Sequence, residues 1–147
     1  MHNCLFTEDR VVHLGLSNGI CTICNNDRET LKHLFFDCNK AKTLIGEAQI
    51  IINRITTNVH SNSHILLNYE NMALGVCDSK LYRLINTVIL ETKWCIWIHR
   101  NKCKHDGMIP NVNQFIYMLK YNLKFQLMGK NIKSYFPNGI EENLLDI

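Results

Sequence analysis

Apolar residues recur at steps of three and four positions over most of the chain beyond residue 40, the spacing of amphipathic helices. The pattern predicts three long helices, over residues 40–55, 78–102 and 112–127. Pro110 pre-sets the backbone for the start of the third helix. Polar residues over 56–63 predict a loop after the first.

The apolar stripes of these helices define the predicted core. Its members are Leu44, Ala48, Ile51, Ile52 and Ile55 on the first helix, Leu81, Leu84, Ile85, Val88, Ile89, Thr92, Ile96 and His99 on the second, and Val112, Phe115, Ile116, Leu119, Leu123 and Leu127 on the third. On the second helix Leu90, Trp94 and Trp97 widen the stripe. That helix is therefore expected to be buried between others.

Three cysteines and one histidine follow the spacing C-x2-C-x8-H-x4-C, at Cys21, Cys24, His33 and Cys38. Three thiols and one imidazole form a closed tetrahedral site for a structural zinc ion and leave no position for a substrate. Turn-forming residues follow the close cysteine pair, as a tight knuckle requires. The alternative is four unrelated residues in a cysteine-rich chain. We predict that these four side chains bind zinc.

The predicted fold is mainly α: a small Cys3His zinc knuckle followed by a helical bundle of about three to four helices. Residues 1–20 are a poorly patterned lead-in, in which residues 11–16 are expected to form a strand or a terminal helical turn, and residues 28–36 are expected to form a short helix capped by Asp27. The expected divisions are a lead-in, zinc finger and first long helix over 1–56, a linker over 57–77, a basic helical region over 78–137 and an acidic tail over 138–147.

Two stretches of the sequence carry a family resemblance. The first is Asn18-Gly-Ile-Cys-Thr-Ile-Cys24 with Glu29-Thr-Leu-Lys-His-Leu-Phe-Phe-Asp-Cys38, and the second is Ile96-Trp-Ile-His-Arg-Asn101. Together they resemble the zinc-binding domain near the C-terminus of reverse transcriptases from LINE-type (non-LTR) retrotransposons. The resemblance implies a finger that holds template RNA or target DNA beside a polymerase.

Motifs for catalysis are missing from the sequence. It has no Asp-Asp pair of the kind that a polymerase palm uses to hold metal ions, and both prolines precede Asn rather than Asp. It also lacks a P-loop, a G-x-S-x-G and an H-E-x-x-H. We therefore expect a non-catalytic chain that resembles the tail of a larger polymerase.

Positive charge is concentrated between residues 93 and 133. This stretch contains eight Lys and Arg residues, and Asp106 is its one acidic residue, so its net charge is +7 in a chain whose total is +3. An excess of cations is what binding to a phosphate backbone requires. Aromatic and cationic residues alternate on the last helix, as in proteins that bind single strands. The alternative is a solvated lysine face. The predicted contacts to RNA or DNA are Arg100, Lys102, Lys104, Tyr117, Lys120, Tyr121 and Lys124.

The remaining cysteines, Cys4, Cys77, Cys95 and Cys103, follow no disulfide framework, and Cys95 is expected to be a buried free thiol. His99, Cys103 and His105 lie close in sequence, but a fourth metal ligand is not evident near them. No apolar run is long enough to span a bilayer. These observations favour an intracellular protein, in the nucleus or cytoplasm.

Three interpretations of function remain open from the sequence. The first is a zinc-stabilised module that binds RNA or DNA. The second is a zinc-stabilised helical domain that binds a protein, such as an upstream polymerase domain, with the metal serving only the fold. The third is a decayed fragment of a retroelement without selected activity.

Overall fold

A computed structural model of the protein describes residues 5–58, 65–76 and 80–129. Helices account for most of these residues, which confirms the prediction of a mainly α fold. The helices are α1 (Glu8–Val11), α2 (Asn39–Asn58), α3 (Tyr69–Leu74), α4 (Lys80–His105) and α5 (Val112–Gly129). A 3-10 turn (Val12–Leu14) continues α1, and a π-helical turn (His33–Asp37) precedes α2.

The three long helices pack around one hydrophobic core, with α4 lying against both α2 and α5. Most side chains of the predicted stripes are buried there, including Ile52, Ile85 and Leu119, each fully enclosed. The same cluster contains Ile23 and Leu34 from the finger, the segment between Cys21 and Cys38. Finger and bundle therefore share a core, and the metal-binding segment is packed onto the helices that follow it.

The prediction that Leu90 and Trp94 widen the buried stripe of α4 is wrong. Their side chains are 61% and 54% exposed. The reason is that α2 and α5 cover only part of the circumference of α4, the part that carries residues such as Val88 and Ile96. A helix with apolar residues on two sides therefore has one side in solvent.

Helix α3 lies within the segment that the sequence analysis treated as a linker. Its N-cap is Asn68, whose side chain accepts a hydrogen bond from the backbone N–H of Asn71 at 2.8 Å. Met72 is buried in the core, and Lys93 of α4 donates a hydrogen bond to its carbonyl oxygen at 2.9 Å. The boundaries between the predicted divisions of the chain stay a prediction.

The turn between α4 and α5 follows the signals in the sequence. Gly107, just past the end of α4, has φ of 66°, a left-handed conformation that glycine adopts without steric cost. The side chain of Asn111 accepts a hydrogen bond from the N–H of Gln114 at 3.3 Å and caps α5 one residue after Pro110. The predicted acidic tail over 138–147 lies outside the described residues.

Among the described helices, none has the length and apolar character needed to cross a bilayer.

Candidate metal centre

The close cysteine pair is held in a tight loop by backbone hydrogen bonds. Cys21 N–H donates to the carbonyl of Asp27, and the carbonyl of Cys21 accepts from Asn25 N–H, both at 2.8 Å. Asn25 has φ of 55°, in the left-handed region that asparagine tolerates better than most residues. These contacts turn the chain back on itself, so that Cys21 and Cys24 lie on one side of the loop.

A π-helical turn brings the other two ligands together. Cys38 N–H donates to the carbonyl of His33 at 2.7 Å, the five-residue step that defines a π-helix. In a regular α-helix, residues five apart point about 140° away from each other. The wider turn brings His33 and Cys38 to the same side, and the H-x4-C spacing fits this geometry.

The short helix begins later than the sequence predicted. Arg28 pairs with Ile20 in an isolated β-bridge instead of opening a helix. Thr30, not Asp27, supplies the cap, because its side-chain oxygen accepts a hydrogen bond from the N–H of His33 at 3.0 Å. This bond fixes the backbone of the histidine ligand itself.

The four ligand atoms form a compact donor set. The sulfurs of Cys21, Cys24 and Cys38 and a ring nitrogen of His33 all lie within 4.8 Å of one another, and Cys24 Sγ is 3.4 Å from His33 Nε2. Ligands at zinc bond lengths in a tetrahedron are about 3.5 to 3.8 Å apart. Three soft sulfur donors and one imidazole are also the chemistry that zinc prefers. The residues therefore fit a structural zinc ion.

The electrostatics of the site favour a thiolate at Cys38. The pKa of Cys38 is lowered by a hydrogen bond from Cys21 and by backbone N–H groups of Lys40 and Ala41 at the start of α2. The positive end of a helix dipole stabilises an anion at this position. The same hydrogen bond and burial raise the pKa of Cys21. Cys38 is therefore the thiol that loses its proton more readily, whereas a metal cation must displace the proton of Cys21.

Comparison with known families agrees with this geometry. Residues 1–44 match the family described as zinc-binding in reverse transcriptase. The N-terminal segment fits a reverse transcriptase zinc-binding domain. No curated protein and no solved structure shows significant similarity to the chain. The family match covers all four ligands of the zinc-binding domain and ends within α2.

A buried ion-pair network joins the zinc-binding domain to α4. Arg100 donates from Nε and Nη2 to one oxygen of Glu29, at 3.0 and 2.8 Å, and from Nη2 to Glu8 at 2.6 Å. All three side chains are at most 5% exposed. Lys104 Nζ lies 2.5 Å from the same Glu8 oxygen. Each buried charge is therefore paired, which is the condition for burying it at all.

Glu29 is the centre of this network. One of its oxygens accepts from Arg100 and from the N–H of Glu8, the latter at 3.0 Å. The other faces the zinc knuckle, 3.4 Å from the N–H of Thr22, between the first two cysteine ligands. A single carboxylate thus bridges α1, the metal knuckle and α4.

The electrostatic environment of Glu8 confirms that this pairing is favourable. Burial by itself would raise the pKa of Glu8. Hydrogen bonds from Lys104 and Ser17 and the charge of Arg100 outweigh burial, and the net effect is a lowered pKa. Glu8 is therefore ionised at neutral pH and completes the pairing of Arg100.

The second stretch of family resemblance is explained by the same network. Trp97 lies with its ring 5.3 Å from the guanidinium of Arg100, a cation–π contact, and Asn101 accepts a hydrogen bond from Arg100 Nη1 at 3.1 Å. The residues before and after Arg100 thus hold its side chain in place. The sequence signal for this role is the position of Arg100 beside a long apolar stripe, where an arginine needs a buried partner, and it was not used in the prediction.

The predicted nucleic-acid contacts fall into two groups, one at the end of α4 and one on α5. Arg100 is buried and bound by two carboxylates, so it cannot reach phosphate without breaking these ion pairs. Lys104 is half-buried and paired with Glu8. Only Lys102 of this group is exposed without a role in the network. The positive charges of Arg100 and Lys104 are therefore paired with carboxylates inside the protein.

The remaining predicted contacts form one face, which we call the outer face of α5. It comprises Tyr117, Lys120, Tyr121 and Lys124, together with Phe125, which the sequence analysis did not include. Tyr117, Tyr121 and Phe125 are 62%, 47% and 60% exposed. Lys124 is exposed, whereas Lys120 is half-buried, with its Nζ 4.0 Å from a Glu47 oxygen. This face lies opposite the buried residues Leu119 and Leu123.

The other candidate groups have structural roles. Cys95 is fully buried, as predicted, and burial with the charge of Glu91 raises its pKa to about 12, so the thiol is unreactive at neutral pH. His99 is also buried and packs against the ring of Phe115. Among the described residues, the groups placed to hold a metal ion are the four predicted ligands alone.

Proposed function

We propose that the chain is a non-catalytic, zinc-stabilised module of a LINE-type (non-LTR) reverse transcriptase that contacts the phosphate backbone of RNA or DNA. The outer face of α5 makes this contact. The module acts inside the cell, in the nucleus or cytoplasm, where reducing conditions keep its ligand thiols available for zinc. Its partner within the parent protein is the polymerase domain upstream.

The observation that carries the proposal is the composition and exposure of the outer face of α5. Lys124 and three aromatic rings are exposed on one side of a helix that contains no Asp or Glu, and Lys120 lies half-buried on the same side. Lysines neutralise phosphates and release counterions, and aromatic rings offer surfaces for bases. A face meant only for solvation does not need exposed rings, because lysines alone would provide it.

A non-catalytic role is supported by the metal site. Four protein ligands complete a tetrahedral zinc coordination, and no position is left at which a water or substrate could be activated. The zinc then serves folding. Primer-extension and nuclease assays with magnesium or manganese should detect no activity, and activity lost in a point variant of the chain would contradict the proposal.

The direct test is binding of labelled single-stranded RNA, measured by fluorescence anisotropy at several salt concentrations. Log affinity should fall linearly with log salt, and the Lys120→Gln, Lys124→Gln double variant should bind more weakly and with a flatter slope. Lys42, exposed on α2, supplies the control for the single variant Lys124→Gln, since Lys42→Gln removes one positive charge elsewhere on the chain. Absence of binding by the wild type at low salt would refute the proposal.

A second function, binding of a protein, is favoured by one specific observation. Leu90 and Trp94 lie one turn apart on α4 and are both largely exposed. Adjacent exposed apolar side chains are typical of protein interfaces. If the upstream polymerase domain covers them, Trp94→Ser should weaken its association with this module and leave RNA affinity unchanged. If wild type and Trp94→Ser associate equally with the polymerase domain, this second function is excluded.

A further inference from the structure

The rings on the outer face of α5 form a continuous aromatic ladder. Tyr117, Tyr121 and Phe125 follow one another at four-residue steps, so each lies about 6 Å further along the helix axis. The ring centroids of Tyr117 and Tyr121 are 6.2 Å apart, and those of Tyr121 and Phe125 are 4.8 Å apart. Tyr121 therefore lies between the other two rings.

The geometry of the first pair is suited to a flat ligand. The rings of Tyr117 and Tyr121 are close to parallel, at an interplanar angle of 21°. Stacked bases are separated by about 3.4 Å, so a base between two rings needs about 6.8 Å. The centroids are 6.2 Å apart, which is less than this, so a side-chain rotation must widen the pair before a base can enter. Phe125, tilted by 56° to Tyr121, instead offers an edge beyond the pair.

Charge complements the rings. Lys120 and Lys124 lie on the same helix, next to Tyr121 in the sequence and one turn on, and α5 carries no acidic side chain. A strand whose bases stack on the rings would place its phosphates within reach of these cations. A duplex cannot use the rings in this way, because its bases are already stacked and paired, and only its phosphates are presented.

We propose that the aromatic ladder of α5 is a base-stacking site that selects single-stranded nucleic acid over duplex, with one base held between Tyr117 and Tyr121. This inference rests on the proposed function and adds the class of ligand. The lysines supply affinity for any phosphate backbone, whereas the rings supply the preference for unpaired bases.

The experiment compares three labelled RNA probes of equal length: a single strand, the same strand with a run of abasic sites, and a duplex. The protein is the full zinc-loaded chain. Wild type should bind the single strand better than the abasic strand, by about five- to 150-fold for each stacked base. Tyr121→Ala should remove most of this difference and leave duplex affinity unchanged.

Two variants control for structural effects. Tyr121→Phe keeps the ring and should keep the preference for the single strand. Trp94→Ala removes an exposed aromatic ring from α4 and should leave all three affinities unchanged. Zinc content and helical circular dichroism equal to wild type are required of each variant. Of the three rings, Tyr121 should give the largest loss, since it lies between the other two, and Phe125 the smallest.

The outcomes separate this inference from the proposed function. If the lysine variants weaken binding but Tyr121→Ala binds all three probes as wild type does, the ladder is not a stacking site and the phosphate contact stands. An equal loss on single strand and duplex overturns the inference as well. If the wild type binds none of the probes at low salt, the proposed function and the inference both fail.

Discussion

The finger region (residues 5–38) and the outer face of α5 use charged and polar side chains in opposite ways. In the finger region the zinc ligands, Glu8 and Glu29 are turned inward, and Arg100 reaches in from α4 to meet them. On α5 the rings and Lys124 point outward. One region satisfies its polar groups within the protein, whereas the other presents them to solvent.

This difference separates structural from functional charge. Arg100 and Lys124 belong to the same basic stretch of sequence, yet the first neutralises buried carboxylates and the second is exposed. The net charge of +7 over residues 93–133 therefore overstates the charge available to a polyanion. Substitutions in the finger region should change stability first, and substitutions on α5 should change binding first.

The largest effect is expected from loss of the metal. The Cys24→Ser, Cys38→Ser variant should retain no stoichiometric zinc, because two of four ligands are gone, and about 10 to 16 kcal/mol of binding free energy is lost in comparable fingers. Mass spectrometry of the native protein measures the zinc, and hydrogen exchange should show deprotection over residues 20–37. Cys103→Ser, which alters a cysteine outside the donor set, should keep zinc. Full zinc content in the double variant would contradict the assignment.

Next in size is the removal of Arg100. In Arg100→Met, Glu29 loses its charged partner while staying buried, and the free energy of unfolding should fall by about 3 to 5 kcal/mol. Urea unfolding of the zinc-loaded protein measures it. The double variant Arg100→Met, Glu29→Gln should recover part of the loss, because the uncompensated charge is removed. Additive losses in the double variant would show that the two side chains do not interact.

A dependence on pH should follow from His99. Burial, with the charge of Lys102, lowers the pKa of His99 to about 4. Between that value and the ordinary value of 6.5 the unfolded chain binds the extra proton, so stability is full above pH 6.5 and falls as the pH drops. The loss should approach about 3 kcal/mol near pH 4.

The control for this dependence is His99→Leu, compared with wild type by urea unfolding from pH 7 to pH 4. Loss of zinc at low pH affects both proteins alike, so it cancels in the difference. The difference in free energy of unfolding should shrink with falling pH. A constant difference would assign the pH dependence to the metal site alone.

The smallest effect, and the sharpest test of the two regions, concerns single lysines. Lys124→Gln should flatten the slope of log affinity against log salt by about 0.7 to 0.9. Lys104→Gln should leave the slope unchanged, because Lys104 is paired with Glu8. Anisotropy titrations with the same RNA give both slopes. A flatter slope for Lys104→Gln would mean that the ion pair opens when nucleic acid binds.

The sequence predicted the zinc donor set because its signal is local. Cys21, Cys24, His33 and Cys38 lie within a short segment, and their spacing alone restricts the geometry. The long helices were predicted for the same reason, since periodic residues such as Ile51 and Val88 report burial directly. Both signals depend on neighbours along the chain.

The parts that sequence analysis missed depend on distant residues. The pairing of Arg100 with Glu29 joins positions 71 apart, and no local pattern states which carboxylate an arginine will meet. Exposure of Trp94 likewise depends on where α2 and α5 pack, not on the apolar character of α4. The π-helical turn was missed because the propensities of its residues do not distinguish it from an α-helix.

The bridge made by Glu29 bears on how the domain can be divided. A fragment that ends at Leu44, where the family match ends, would keep all four zinc ligands but lose Arg100. Glu8 and Glu29 would then be left without their main counter-charge, and the knuckle without its anchor on α4. Any transplant of this finger into another protein must therefore keep Glu8, Glu29 and Arg100 together, in a segment that spans at least residues 5–105.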